Sequence, residues 1–195
     1  MTTSRPSVVI LAGPNGAGES TAAPALLQGA LAVSEFVNAD VIARGLSPRD
    51  PDLAAIAAGR VMLSRLRELA AQRTNFAFET TLASRSFAPW LHDLSASGYS
   101  VHFFFLWLPS ADFAVQRVAD RVRAGGHDVP EPTVRRRYRT GLRNFFELYE
   151  PTASTWRLYD GSGPEPKLIA DRLVSQPISV YDQVIWHLVR QQGNR

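Results

Sequence analysis

Apolar residues along the chain fall into short continuous runs separated by stretches with helical spacing. Val8–Leu11 is a β-branched run that ends in a glycine-rich segment, Gly13–Gly18, and a helical pattern follows through about Leu31. Phe36–Ala39 and Phe76–Phe78 are further strand candidates, and Val101–Leu108 is the strongest strand in the sequence. Its apolar positions are continuous rather than alternating, as expected of a strand covered on both faces of a parallel sheet. Asp50-Pro51 predicts a helix start, with Asp as cap and Pro at the first helical position. Ile56, Val61, Leu63, Leu66 and Leu69 then recur at helical spacing over Asp52–Gln72. A helix is expected over Ser86–Ser95, and another over Ala111–Ala124, capped by Ser110 and stopped by Gly125-Gly126. A long arginine-rich helix reaches about Tyr149, and two short strands lie near Trp156–Tyr159 and Leu168–Ala170. Ser179, with Asp182 three positions on, predicts the start of a last helix to about Gln192. This alternation predicts an α/β fold with a mainly parallel sheet flanked by helices, in a single domain over residues 1–195 with a mobile flap.

Composition narrows the chemistry. With 45% hydrophobic and 20% charged residues in 195, the chain is of ordinary globular type. It has no cysteine, which excludes disulfides, thiolate catalysis and cysteine-ligated zinc. No apolar run approaches the ~18 residues that span a bilayer, and no signal peptide is evident, so a cytoplasmic protein without a membrane partner is expected. The formal charge is +3, and all but one of the 21 basic residues are arginines. Eight of them lie between Arg117 and Arg143, against three acids. Arginine grips phosphate in a two-pronged way, so this cluster is a candidate anion contact.

Gly13-Pro-Asn-Gly-Ala-Gly-Glu-Ser20 has the G-x-x-x-x-G-K-[ST] spacing, preceded by a strand and followed by a helix, as a phosphate loop requires. Successive backbone N–H groups from Gly13, Asn15, Gly16, Ala17 and Gly18 through Ser20 and Thr21 would turn inward on an anion, aided by the helix N-terminus. The Ser20 hydroxyl would reach Mg²⁺. Glu19 stands where the catalytic lysine belongs. Two unit charges ~4 Å apart interact by about 4 kcal/mol at an effective dielectric near 20, so exchanging attraction for repulsion predicts poor phosphate transfer or none. Two explanations present themselves, a natural pseudokinase or an inactivated variant of a harmful kinase, and the otherwise intact site favours the second.

The ordered set of Gly13–Thr21, Asn38-Ala39-Asp40, Phe78-Glu79-Thr80-Thr81, Arg117 and Arg121 before Gly125-Gly126-His127, and Arg135-Arg136-Arg137 resembles the compact zeta-toxin-type P-loop kinases. The resemblance spans about Val8 to Ala170 and implies a P-loop kinase fold, ATP with Mg²⁺, and phosphorylation of a small-molecule hydroxyl. In better-known members the acceptor is a nucleotide sugar, UDP-N-acetylglucosamine, phosphorylated on the sugar 3′-hydroxyl, and the enzyme is the toxin of a toxin–antitoxin pair. An antitoxin protein is thus an expected partner. The chain departs from the pattern at Glu19, and at Asp160-Gly161-Ser162 where Asp-Asn-Ser is expected.

On this resemblance Asp40 takes the proton of the attacking hydroxyl; a plainer role is to cap the turn Val41–Ala43. Glu79 holds Mg²⁺ through water or orients the acceptor, with Thr80, Thr81, Ser84 and Arg85 as further acceptor contacts. Arg117 and Arg121 share a helix face and, with Arg136, would form a lid over about residues 117–143 that closes on ATP and neutralises the transferring phosphoryl group. Two other readings stand beside the kinase: a nucleotide-binding module without catalysis, and nucleic-acid binding through the arginine patch. The last is disfavoured because no recognition motif accompanies the arginines, so nucleic acid is not an expected partner.

Overall fold

The computed structural model describes residues 5–27, 33, 35–47 and 51–194. Seven strands form one sheet in the order β2-β3-β1-β4-β5-β6-β7, comprising β1 (Ser7–Ala12), β2 (Glu35–Val37), β3 (Phe76–Thr80), β4 (Ser100–Trp107), β5 (Thr155–Asp160), β6 (Lys167–Arg172) and β7 (Ser179–Val180). The first five strands run parallel, while β6 and β7 add antiparallel at one edge. β1 lies between β3 and β4 and is buried along its whole length, which is why its apolar residues do not alternate.

Helices α1 (Glu19–Leu27), α2 (Ala39–Leu46), α3 (Pro51–Ala71), α4 (Phe87–Ala96), α5 (Ala111–Arg123), α6 (Glu131–Asn144) and α7 (Gln183–Gly193) complete the fold. The main core joins Val8, Ile10, Phe76, Phe78, Phe103, Phe105 and Trp156 of the sheet to Leu66, Leu69, Leu91 and Phe145. Each such side chain contributes roughly 1.5–3 kcal/mol by leaving water.

Several local expectations change. The strand predicted over Phe36–Ala39 stops at Val37, because Asn38 caps a helix, α2, that the sequence reading had reduced to a turn. The proposed Asp50 cap and the end of the first helix near Leu31 lie outside the described residues. Ile56 and Val61 of α3 are exposed, and Met62, next after Val61, takes a core position instead. The long arginine-rich helix ends at Asn144 and continues as a π-helical turn over Phe145–Tyr149. Ser179 pairs as a strand with Asp171 of β6, so Asp182 alone caps α7, its carboxylate accepting the Ile185 N–H at 2.9 Å.

α7 packs back on the molecule through its side chains. Trp186 stacks on Trp156, and the Arg190 guanidinium lies 4.4 Å from the ring centre of Phe146. Gln192 accepts from Trp107 Nε1 at 2.9 Å and Tyr138 OH at 3.0 Å, and donates to the Pro109 carbonyl at 3.0 Å. Because β1 to β5 are parallel, their C-terminal ends, and the residues just beyond them, share one edge of the sheet. In open α/β sheets ligands collect at this edge.

Candidate active site

The loop leaving β1 is shaped by close contacts. A Cβ at Gly13 would stand 2.6 Å from the Leu106 carbonyl, so no side chain fits there. Gly18 has φ +89° and open space where a side chain would be, at the turn into α1. Gly16 packs against Arg117, and Ala17 N–H bonds the Pro14 carbonyl at 3.0 Å, closing the turn.

Glu19 does not reach out of the loop. It is only 6% exposed, and Oε1 folds back to within 2.9 Å of the point a Gly13 Cβ would occupy. Burial, then the charges of Glu79 and Asp40, push its pKa up to about 8 against the opposing pull of its own amide and Arg121. At neutral pH the carboxyl is therefore largely protonated. The sequence argument treated it as a full negative charge, and burial is the physical reason for the correction. The loop lacks the lysine's cation but carries little added anion.

Asn38 ties the next two pieces together. Its Oδ1 accepts from the N–H groups of Asp40 (2.7 Å) and Val41 (3.2 Å), while its Nδ2 donates to Glu79 Oε2 at 2.8 Å. The same oxygen accepts from Ser20 Oγ at 2.8 Å. Asn38 is thus the cap that the plainer reading had assigned to Asp40. Asp40, freed from capping, sits exposed in the first turn of α2. Glu79, one residue before the end of β3, is half-buried, and desolvation raises its pKa despite the bonds from Ser20 and Asn38.

Two large cavities open on this corner, beside a small one of about 190 Å³ lined by Ser20, Asp40, Arg44 and Arg121. One, of about 680 Å³, is walled by α3, the end of β3 and the segment through Ser86; the other, of about 580 Å³, runs along the loop from Gly16 to Ala22 and past Arg117 to Gly161. They share Gly16, Glu19, Asp40, Glu79 and Arg121. Nε and Nη2 of Arg121 are buried without a hydrogen-bond partner, and Arg117 donates to the Gly161 carbonyl at 2.9 Å. Buried, unsatisfied guanidinium donors are costly unless an anion meets them. The loop, Arg121 and the Ser20 hydroxyl thus fit a phosphate chain with its divalent cation, and Glu19 is the one misfit.

A family model for zeta toxin matches residues 1–159. The chain belongs to the zeta toxin family. Within that family setting, an uncharacterized protein of Haemophilus influenzae is 29% identical over 130 residues, covering 67% of this chain and 91% of its own. Among solved structures, the AvrRxo1-ORF1:AvrRxo1-ORF2 complex superposes at TM-scores of 0.73 with sulphate ions and 0.72 with ATP, at 14% and 15% identity. Each match covers 96% of this chain but 64% of the other, so this zeta toxin family chain spans less than two thirds of the length of those relatives. A chain from the PezAT chromosomal toxin–antitoxin system of Streptococcus pneumoniae superposes at 0.62, with 13% identity, covering all of this chain and 88% of that one. The architecture is the P-loop kinase fold.

The remaining predicted positions of this zeta toxin family chain divide. Thr80, Thr81 and Ser84 line the larger cavity, whereas Arg85 is exposed and lines neither. Arg136 is also exposed and lines neither; Arg137 lines the larger cavity and donates to Asn15 Oδ1 at 3.3 Å. The cause is helical phase. Val134 and Tyr138 of α6 are buried, and Arg136 follows Val134 by about 200° of rotation. Sequence reasoning missed what supports the loop after β3. Leu82, fully buried, holds φ +53°, a left-handed conformation that costs a non-glycine residue energy. Asn144 Nδ2 donates to its carbonyl at 2.8 Å, Tyr149 OH donates to the Ser84 carbonyl, and Gly141 lies so close that a Cβ would meet the Thr81 carbonyl at 2.2 Å. Only the missing side chain in a helix otherwise rich in long ones could have signalled this clamp.

Proposed function

We propose that this site is that of an ATP-dependent kinase acting on a hydroxyl of a small molecule, and that Glu19 leaves the present chain with little or no transfer activity. The observation that carries the reading is the meeting of two cavities at Asp40, Glu79 and Arg121 beside a phosphate loop. The cavity along the phosphate loop receives ATP, and the larger receives the acceptor. Asp40, exposed and released from capping by Asn38, accepts the proton of the acceptor hydroxyl as its oxygen attacks the terminal phosphorus. The bond from that phosphorus to the bridging oxygen breaks, so that ADP leaves with its electron pair. The unpaired Nε and Nη2 of Arg121 take up charge that develops on the transferring group, with Arg117 alongside and Arg137 reaching from α6 in a lid over about residues 117–143. Ser20 and Glu79 are the residues that would hold Mg²⁺, which when bound neutralises phosphate charge. Family membership and the ATP-bound AvrRxo1 complex support ATP as donor. We extend the reading to a nucleotide sugar such as UDP-N-acetylglucosamine as acceptor; a toxin role and an antitoxin partner are supported by the family and by the likeness to the PezAT toxin–antitoxin system.

The test is to restore lysine with Glu19→Lys and screen nucleotide sugars and other hydroxyl metabolites for ATP-dependent phosphorylation. Activity in that variant, lost again on adding Asp40→Ala, is the expected result, with growth arrest on its induction. A second reading, a nucleotide-binding module without catalysis, draws on the burial of Glu19 inside the loop. It is the better account if Glu19→Lys binds ATP and transfers phosphate to nothing.

A further inference from the structure

The end of β4 serves two sides of the molecule. On one side it is the floor of the phosphate loop. The Leu106 carbonyl lies against Gly13, and the Trp107 carbonyl accepts the Gly161 N–H at 2.8 Å, holding Gly161 close to the Ala17 carbonyl. On the other side the same few residues are gripped by one side chain from α7. Gln192 accepts from Trp107 Nε1 at 2.9 Å and donates to the Pro109 carbonyl at 3.0 Å. The Tyr138 hydroxyl lies between Gln192 Oε1, at 3.0 Å, and the Leu108 carbonyl, at 2.8 Å.

α7 is already docked without this amide. Trp186 stacks on Trp156, Arg190 lies over Phe146, and a Cβ at Gly193 would stand 2.5 Å from the Phe146 ring. Fixing a glutamine gives up more rotamer freedom than fixing an apolar residue of similar size. What the amide adds is direction, because its bonds set the rotation of α6 against the end of β4. That rotation matters through the neighbour of Tyr138. Arg137 sits about 100° from it around α6 and reaches Asn15 Oδ1 at 3.3 Å, beyond the usual hydrogen-bond distance. Its guanidinium is at the tip of a long arm, so a small turn of the helix carries it off the loop. The stretch matched to the family ends at residue 159, and α7 lies beyond it.

We propose that Gln192 is a positioning residue for the phosphate loop: by tying Tyr138 to the end of β4 it fixes the rotation of α6, and so sets Arg137 on Asn15 in the arrangement that receives the nucleotide. This rests on the kinase reading, which gives the loop a nucleotide to hold.

The experiment uses the full chain carrying Glu19→Lys, titrated calorimetrically with ATP and melted in parallel. Gln192→Ala is expected to weaken ATP severalfold. Tyr138→Phe, which keeps the ring and removes only the hydroxyl, should do the same, and it decides the matter where Gln192→Ala does not fold. Once Arg137→Ala is present, neither should add a further loss, because residues that act through one contact are not additive. Arg190→Ala loosens α7 without touching the amide, and should lower Tm while leaving ATP affinity unchanged. ATP affinity indifferent to both Gln192→Ala and Tyr138→Phe, losses that are equal with and without Arg137, or a matching loss from Arg190→Ala overturns the inference. Failure of the kinase reading looks different: Glu19→Lys binds ATP with the same dependence on Gln192, and transfers phosphate to nothing. ATP that does not bind at all overturns both.

Discussion

The phosphate-loop side of the site comes from one unbroken stretch, Gly13–Thr21, whereas the loop after β3 is held by partners far along the chain. Asn144 and Leu82 are 62 positions apart, and Tyr149 and Ser84 are 65 apart. The difference separates chemistry from scaffolding. In the first region a single side chain, Glu19, changes what the site can do while the turn keeps its form. In the second no single residue is chemical, and shape depends on a glycine, an amide and a phenol converging on one strained loop.

That contrast can be broken or sharpened by experiment. The largest effect is expected at the loop itself. Glu19→Lys places a cation where a near-neutral carboxyl stood, and about 4 kcal/mol of Coulomb attraction at ~4 Å corresponds to on the order of a thousandfold in ATP affinity or turnover. Equal ATP binding by the parent and this variant would show that the loop does not hold phosphate. On the acceptor side, Gly141→Ala forces a methyl against the Thr81 carbonyl. A loss of about 3 kcal/mol in unfolding free energy is expected, read by chemical denaturation. Asn144→Ala strands the buried Leu82 carbonyl and should cost about 2 kcal/mol, with faster amide exchange at residues 80–84 as the local signature.

A smaller effect follows from the protonation of Glu19. The folded chain keeps this proton up to about pH 8, while the unfolded chain releases it near 4.5, the ordinary value of a glutamic acid. Between those values the unfolded state binds fewer protons, so stability falls as pH rises and levels off above about 8. Melting in metal-free buffer should show that decline, and Glu19→Gln should flatten it. The smallest effect is expected at Arg136: Arg136→Ala should leave ATP affinity within twofold of the parent, while Arg137→Ala, which removes the contact to Asn15, should weaken it severalfold.

How much of this was readable beforehand follows the same division. The parallel order of β1, β3 and β4, the phosphate loop and the clustering of Asp40 and Glu79 at one sheet edge are set by local pattern: apolar runs, glycine spacing and polar residues just past strand ends. Asn38 stood in the motif but its work did not show, because bonding Asp40 N–H and Glu79 at once requires two strands to lie side by side. A run of three arginines gives no helical phase to separate Arg136 from Arg137 until the burial of Val134 and Tyr138 fixes it. β7 was missed for a similar reason. Two residues carry no periodicity, and only pairing with β6 makes them a strand.

The π-helical turn at Phe145–Tyr149 has one more consequence. A π turn takes up one residue more than an α turn over nearly the same rotation, so it absorbs an added residue and leaves the chain after it in phase. Five residues of regular α-helix would turn Tyr149 about 140° from Asn144. The widened turn instead brings both side chains to one loop, Asn144 to the Leu82 carbonyl and Tyr149 to the Ser84 carbonyl. An extra residue in the backbone is thus what lets one helix hold that loop at two points.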